Sequence, residues 1–498
     1  MLEVSLTEII SALFRIDIML LVILGVVIGL TVSAIPGLTG TMAIAILLPF
    51  TYALTPIQGI ALLIGTYKSS FFGGSISAII FGTPGVPAAT LDVLDGYPMS
   101  KRGEAKKAIL IALYSSVLAD FGSDLLLLFS IAPLAALSLA FGPSELLALM
   151  ILAFVMVVMF VQESPMRGIV SLIIGILIAL IGSSEHYVFP RFTFGITLLT
   201  DGIDMIAFLV GFFAFSEILV QIIENFRKKR LIETLSPFQT GGKGIKFIKF
   251  LKLFYKQVII GWGMGSFAGA LPGLGATIGA YLSYSVSKRL SRKGGEYGKG
   301  EPEGLSAAEA GNSATVGATF IPLFAFGIPG SMIAALFGAA FMMQGYTVGP
   351  GLLREQPTFI YTVLLLVIGA NFFNLLVCKL LVPVYSYIAY LPGMVLYPFL
   401  GMFSVIGVYA YKNSLFDVTV MVLAGVFSCW MRAFNYPLLP VIIGFILAPL
   451  FESNLTRSLI LSRGQIGFFL QSPIFIVLIA LSVLVAILMI FWKSPEIK

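Results

Sequence analysis

Two short apolar phrases of this chain are each written twice. Ala34-Ile35-Pro36-Gly37-Leu38 returns as Ala270-Leu271-Pro272-Gly273-Leu274, and Phe81-Gly82-Thr83-Pro84-Gly85 returns as Phe326-Gly327-Ile328-Pro329-Gly330. Proline has no amide proton and its ring clashes with the preceding turn, so each Pro-Gly pair breaks a helix. The chemistry on offer is that of free backbone: amide groups opening the next half-helix attract an anion, and unwound carbonyls attract a cation. Thr39, Thr41, Thr83, Thr277 and Ser331 place hydroxyl groups beside these breaks. Glycine lets a ligand approach the backbone, and positive φ is expected at Gly85 and Gly330. The candidate ligand-binding set is therefore Pro36, Gly37, Thr39, Thr83, Pro84, Gly85, Pro272, Gly273, Thr277, Pro329, Gly330 and Ser331. A single Pro-Gly pair more often only kinks a helix or lets two helices pack closely. Four breaks in repeated positions point instead to a shared site.

Charged side chains inside apolar sequence are the second source of chemistry. Lys68 stands more than ten residues from any acid in the sequence, and a buried ammonium must find an anion. A ligand carboxylate or a carboxylate of the protein would serve, and Lys68 joins the candidate set on the first reading. Glu309 and Asn312 lie three apart, on one helical face, and could hold a sodium ion or bind and release a proton. Asp120 and Asp124 could form a proton relay, but Gly122-Ser123 between them suggests a polar loop joining two shorter helices. Asp92 and Asp95 adjoin a basic loop and read as structural. Arg432, Glu452 and Arg457 read as anchors at helix ends, and His186, beside Glu185 and Tyr187, as a loop residue. With one histidine and two isolated cysteines, Cys378 and Cys429, metal centres, disulfides and triad chemistry lack parts. No cofactor and no enzymatic activity is expected.

These groups must be positioned by membrane helices. The chain is 58% hydrophobic and only 11% charged, with a mean hydropathy of +1.03, too apolar for a soluble domain of this length. Apolar runs near the roughly 20 residues a bilayer requires lie at 108–135, 144–161, 168–183, 204–223, 358–382, 393–411, 415–431, 437–451 and 473–492. With the four broken elements these give about twelve membrane segments in one all-α polytopic domain, 1–498. No cationic leader with a cleavage site opens the sequence, so no cleaved signal peptide is expected. Its net charge of +6 sits in loops, where it reports topology rather than nucleic-acid binding. The strongest loop spans Arg227 to Lys256, a second spans Lys288 to Glu303, and a third spans Ser100 to Lys107. All three are expected in the cytoplasm.

Between the first two loops lies Gln257 to Ser287, whose arms of about 14 residues, about 21 Å of helix, are each too short to cross. That describes a re-entrant hairpin tipped by Pro272-Gly273. The next element breaks at Gly327 to Gly330 and ends in the weakly charged stretch Gly345 to Pro357, so it is expected to cross. In the first half the charge signs are exchanged, as in an inverted repeat. The division is a first half at 1–224, a basic cytoplasmic linker at 225–256 and a second half at 257–498.

The sequence resembles a known family. Gly73-Gly74-Ser75-Ile76-Ser77-Ala78-Ile79-Ile80-Phe81-Gly82-Thr83-Pro84-Gly85 with Asp95-Gly96-Tyr97-Pro98-Met99 is similar to the hallmark stretch of TctA, the large membrane subunit of tripartite tricarboxylate transporters. Leu271 to Thr277, Tyr297 to Gly300, Glu309-Ala310-Gly311-Asn312, Phe326 to Ser331, and Pro440 to Glu452 with Asn454-Leu455 are similar too. The resemblance implies ion-coupled import of carboxylates through the inner membrane, driven by sodium or protons, with a periplasmic solute-binding protein and a small membrane subunit as partners. A homodimer is compatible with it. The alternative is a channel or scaffold subunit without coupled transport.

The charge pattern yields a topological test. In a cysteine-free background, single cysteines at Thr240 and Gly295 are expected to react only from the cytoplasm, and one at Gln356 only from outside. Labelling of Thr240 and Gly295 from opposite sides would remove the re-entrant hairpin.

Overall fold

A computed structural model describes residues 11–491, apart from 12, 139–140, 161–163, 185–186, 229–243, 382–383 and 385–392. The expectations for Glu185, His186 and Thr240 fall outside the described residues.

The first half opens with α1 (Ile16–Ala34), a break, α2 (Gly40–Leu47), a 3-10 turn, and α3 (Pro56–Phe81). A second break leads into α4 (Thr90–Lys101) and α5 (Ala105–Ser138). Then come α6 (Pro143–Met159), α7 (Pro165–Ala179), a two-stranded antiparallel hairpin of β1 (Gly182–Ser184) and β2 (Tyr187–Arg191), and α8 (Met205–Leu209), which passes through a π turn at Val210–Phe215 into α9 (Ser216–Lys228). The second half begins with α10 (Phe247–Ala270), a break, α11 (Gly275–Leu290), α12 (Pro302–Ser313), α13 (Thr315–Ala318) and α14 (Phe320–Phe326). After another break come α15 (Met332–Met343), α16 (Pro350–Glu355), α17 (Pro357–Leu381), α18 (Gly393–Lys412), α19 (Leu415–Ala433), α20 (Leu438–Ser462) and α21 (Pro473–Phe491). The protein is an all-α membrane protein, and among the described residues six helices are long and apolar enough to cross a membrane: α1, 105–134 of α5, 205–224, α17, α19 and α20.

All four expected breaks are present, and the two copies adopt matching backbones. Gly37 and Gly273 take φ of +89° and +92°, and Gly82 and Gly327 take +66° and +74°. Left-handed φ is thus found at Gly82 and Gly327, not at Gly85 and Gly330 as the tip geometry suggested. Those two are glycines for want of space: a Cβ on Gly85 would lie 2.8 Å from the Ser33 carbonyl oxygen, and one on Gly330 3.1 Å from Thr319 Oγ1. The first helix of each hairpin also carries glycines in step. Gly25 and Gly29 admit the backbone of α3 at Leu62 and Thr66, and Gly261 and Gly265 admit that of α12 at Ala310 and Gly311. Small residues let helices approach closely where lipid supplies no hydrophobic drive.

Three local expectations change. The stretch 247–256 of the expected linker is not a loop but the amphipathic start of α10, with Phe250 and Phe254 buried and Lys249, Lys252 and Lys256 exposed. The hairpin arms of the second half are accordingly 24 and 16 residues long rather than about 14. Glu452, read as an anchor at a helix end, lies inside α20 and pairs with Arg191 of β2 at 2.7 Å. Asp120 and Asp124 sit one turn apart on the unbroken α5, not in a loop, because Gly122 is where the ring of Trp262 approaches that helix.

That helix explains Lys68. Its ammonium lies 2.7 Å from Asp120 Oδ2 and 2.7 Å from Asp124 Oδ2, with all three side chains buried. Asn371 on α17 donates to Asp124 Oδ2 at 2.5 Å, and Asn374 Nδ2 reaches the Lys68 carbonyl at 3.5 Å. The anion that Lys68 requires is supplied by the protein, so Lys68 leaves the ligand-binding set and becomes the pin joining α3, α5 and α17.

Removing one member of such a group strands the others, at a cost of about 3–5 kcal/mol. Lys68→Met is therefore expected to lower the melting temperature of the purified protein by several degrees, and adding Asp120→Asn and Asp124→Asn to recover most of the loss. A single variant as stable as the parent would deny the pin its structural role.

Candidate functional site

The four breaks meet. One cavity of about 910 Å³ is lined by Gly37, Thr39, Gly40 and Thr41 from the first break and by Pro84, Gly85 and Pro87 from the second. Gly273, Gly275 and Thr277 line it from the third, and Gly330, Ser331 and Met332 from the fourth. Of the candidate set, Gly37, Thr39, Pro84, Gly85, Gly273, Thr277, Gly330 and Ser331 face this space. Pro36, Thr83, Pro272 and Pro329 do not line it. They lie next to lining residues in sequence, where they set the breaks. In the second half the two tips are tied directly, the Gly273 amide donating to the Gly330 carbonyl at 3.2 Å.

Helices α2, α11 and α15 all begin at the cavity, and their starts differ in how they are satisfied. Thr39 caps α2 by accepting from the Met42 amide at 3.3 Å, and Ser331 caps α15 by accepting from the Ala334 amide at 3.1 Å. No side chain caps α11. Its first residue, Gly275, has φ of +65° and faces open space. The opening amides of a helix have no partner inside it, and three positive dipole ends around one space favour an anion.

Sequence reading missed much of the remaining lining. Tyr67, Ser70, Thr315 and Thr319 line the wall, with Thr319 donating to Ser331 Oγ at 3.1 Å. Ser70 and Thr315 precede Gly85 and Gly330 by the same interval, so the duplication itself could have flagged them. Arg432 carried no such signal. It was read as an interfacial anchor, yet its guanidinium pairs across the fold with Glu217 on α9, and both line the cavity. Arg432 Nε is buried without a partner. Glu217 also accepts from Gln221 Nε2 at 3.2 Å, and the Gln221 side chain covers Gly37. The π turn just before Glu217 brings Phe213 to the same wall, and such turns often occur at functional positions.

Glu309 and Asn312 lie behind this wall rather than in it. Both are fully buried. Ser75 from the first half donates to Glu309 Oε2 at 2.6 Å, Ser313 donates to Oε1 at 3.2 Å, and Asn312 Nδ2 approaches Oε2 at 3.4 Å. Asp95 is a structural clamp, as its position suggested. Its Oδ1 accepts the amides of Gly298, Gly300 and Glu301 at 2.9 Å each, and its Oδ2 accepts the Tyr284 hydroxyl at 2.9 Å. The site is thus a cavity of backbone dipoles and one Arg432–Glu217 ion pair, with a buried carboxylate network behind its wall.

Comparison with known proteins agrees with this architecture. The model of the Tripartite tricarboxylate transporter TctA family matches residues 19–443. A protein of Agrobacterium vitis described as an uncharacterized 52.8 kDa protein in the TAR-I ttuC' 3'region is 31% identical over 90% of this chain and 88% of its own length. A second, from the TAR-II ttuC' 3'region of the same organism, is 33% identical over 45% of this chain and 93% of its own length. No solved structure matches. With breaks, cavity and family model in agreement, the chain belongs to the tripartite tricarboxylate transporter TctA family and is a multi-pass membrane transport component.

Proposed function

We propose that this chain imports a small carboxylate through the inner membrane as an ion-coupled secondary transporter, holding its substrate in the cavity between the four tips. The observation that carries this reading is the convergence of three helix starts on a cavity whose lining, among the described residues, contains one cationic side chain, Arg432, beside its partner Glu217. Each dipole end contributes about 0.3–1 kcal/mol toward an anion at an exposed site and up to about 2 kcal/mol where partly buried. A second carboxylate on the substrate would meet Arg432 in competition with Glu217. A substrate with several carboxylates suits such a spread of positive ends better than a single one.

The matching φ values and matching glycine contacts support a duplication, and the exchanged loop charges support its inversion. On that reading the chain has about twelve membrane segments, and the two halves expose the cavity alternately to either side. Glu309 and Asn312, at the packed junction between halves, are the groups through which a sodium ion or a proton drives the cycle. High-affinity capture falls to a periplasmic binding protein, and a small membrane subunit completes the complex.

Reconstitution in liposomes tests this. Uptake by the complete three-component system is expected to saturate with substrate and to need an ion gradient, whereas the isolated chain is expected to transport weakly at micromolar substrate. Flux that rises without saturation and ignores the gradient would favour a channel. Loss of one charge-assisted contact is worth about 1.5–3 kcal/mol. Arg432→Gln is accordingly expected to raise the apparent KM for a carboxylate by roughly tenfold or more, with Arg432→Lys intermediate. An unchanged KM would leave Arg432 as only the partner of Glu217.

A further inference from the structure

At the base of the second-half hairpin, uncharged sequence ends on both arms. Residues 257–270 of α10 and 275–287 of α11 carry no charge, and Lys256 and Lys288 are the first charged side chains beyond them. The two arms reach this limit at one level of the fold: Gln257 Nε2 and the Ser291 hydroxyl donate to the same oxygen, Glu303 Oε2, at 3.1 Å and 2.5 Å. Toward the tip, α10 exposes Ile259, Trp262 and Phe267. Away from it, α10 exposes Lys249, Lys252 and Lys256 among Ile248, Leu253 and Tyr255. Such a switch marks the depth at which a helix leaves hydrocarbon for headgroups. The third basic loop comes to the same region. Arg102 donates to the Gly300 carbonyl, and Gly244, just before α10, packs on Leu110 and Lys106 of α5.

The end of α11 forms a concavity of about 620 Å³ lined by Ser285, Lys288, Arg289, Ser291 and Arg292. The turn that closes it is tight, since a Cβ on Gly294 would strike the Lys288 carbonyl. Its three cations are exposed and have no acidic partner among the described residues, whereas cations close by do: Lys293 pairs with Glu301 at 3.2 Å and Lys299 with Glu296 at 3.9 Å. Glu303 is taken by its two neutral donors. Lys288 and Arg289 suit the negative end of α11, but Arg292 lies beyond that helix, and Lys249 sits in the first turn of α10, where the dipole opposes it. Folding alone thus does not account for this much unpaired positive charge at one level, and an anion from outside does. Leu290, between the lining residues, and Tyr281, one turn before Ser285, are both exposed and give the concavity an apolar flank that a free anion would not use.

We propose that this concavity binds the headgroup of an anionic lipid, its phosphate among Lys288, Arg289 and Arg292 and its acyl chains running past Tyr281 toward the tip. The lysines of α10 rest on neighbouring headgroups of the same leaflet. The hairpin that carries Pro272-Gly273 to the cavity is thereby held at its base by the membrane surface. This inference stands on the basic face alone and does not depend on the transport reading.

Native mass spectrometry of the purified full chain tests it, with phosphatidylglycerol and phosphatidylcholine of identical acyl chains as probes. A basic side chain near an anionic leaflet strengthens binding by about fivefold, so phosphatidylglycerol is expected to bind tighter by roughly tenfold to a hundredfold. Lys288→Gln, Arg289→Gln and Arg292→Gln together should remove most of that preference. Arg292→Gln alone, outside the helix, should weaken phosphatidylglycerol binding by about fivefold and serves should the triple variant not fold. Lys107→Gln, Lys293→Gln and Lys299→Gln together remove the same charge from paired positions and should leave the preference nearly intact. Equal losses in the two triple variants would reduce the site to diffuse surface charge and overturn it, as would equal binding of the two lipids. Displacement of the lipid by millimolar inorganic phosphate would assign the concavity to a soluble anion instead. Loss of lipid binding in the complex with the partner subunits would assign this face to a protein, and would overturn the proposal too.

Discussion

Lipid offers no water to a broken helix, and that constraint organises this fold. Each Pro-Gly break frees backbone groups whose burial without partners would cost several kcal/mol apiece. Such breaks are tolerated where they are buried in protein or line a cavity, and here all four border one cavity. The structure meets the constraint in three ways: Thr39 and Ser331 cap their helices, the Gly273 amide bonds the Gly330 carbonyl, and the remaining free ends open onto a common cavity. The cavity is thus a consequence of the breaks as much as their purpose. Its affinity for anions follows from the direction of the helices that leave it, since α2, α11 and α15 all point their amide ends inward.

Holding four tips together requires the two halves to approach at backbone distance. Gly317 on α13 allows this, because a Cβ there would lie 2.8 Å from the Asp124 amide nitrogen of α5, while the glycines on α1 and α10 do the same within each half by admitting α3 and α12. Polar bonds then fix the register between halves and the long α5: Ser115 with Ser306 at 2.8 Å, Ser116 with Ser313 at 2.7 Å, and Lys68 with the two aspartates. Hydroxyl pairs of this kind hold modestly, near 0.6 kcal/mol each in membranes. They can slide or part in a moving protein, whereas the Lys68 group cannot open without stranding charge. The fold therefore combines one rigid pin with several weak latches.

What the sequence made legible was whatever local rules govern. Breaks follow from Pro-Gly chemistry, helix positions from the length of apolar runs, and the shared site from repetition of both phrases. Among the described residues each of the nine apolar runs coincides with a helix over most of its length, 168–183 alone running on into β1, and eight of thirteen candidate ligand residues line the cavity. The failures share a cause. Lys68, Asp120 and Asp124 were read separately because their pairing joins helices more than fifty residues apart. Arg432 was read as an anchor because Glu217 lies 215 positions away. Glycine roles were assigned to the right phrases but to the wrong residues, since positive φ belongs to the residue that ends the helix, whereas Gly85 and Gly330 answer to neighbours no local rule can name.

The placement of charge separates two tasks that a transporter of anions has to keep apart. Fixed lysines and carboxylates near the substrate would bind it too strongly or repel it, and a buried ion stranded as the substrate left would destabilise the empty state. Here the strongest buried charges are neutralised away from the cavity: Lys68 in its triad and Asp95 in its cradle of amides. Backbone dipoles, which carry no titratable proton and need no counter-ion, form most of the cavity's positive character. Arg432 is the exception, and it comes with its own counter-ion, so exchanging Glu217 for a substrate carboxylate keeps the guanidinium paired in both states. On the transport reading proposed above, the group displaced from Arg432 is Glu217, which keeps the Gln221 amide at 3.2 Å and re-forms the pair when the substrate leaves, so the emptied cavity holds no unpaired guanidinium.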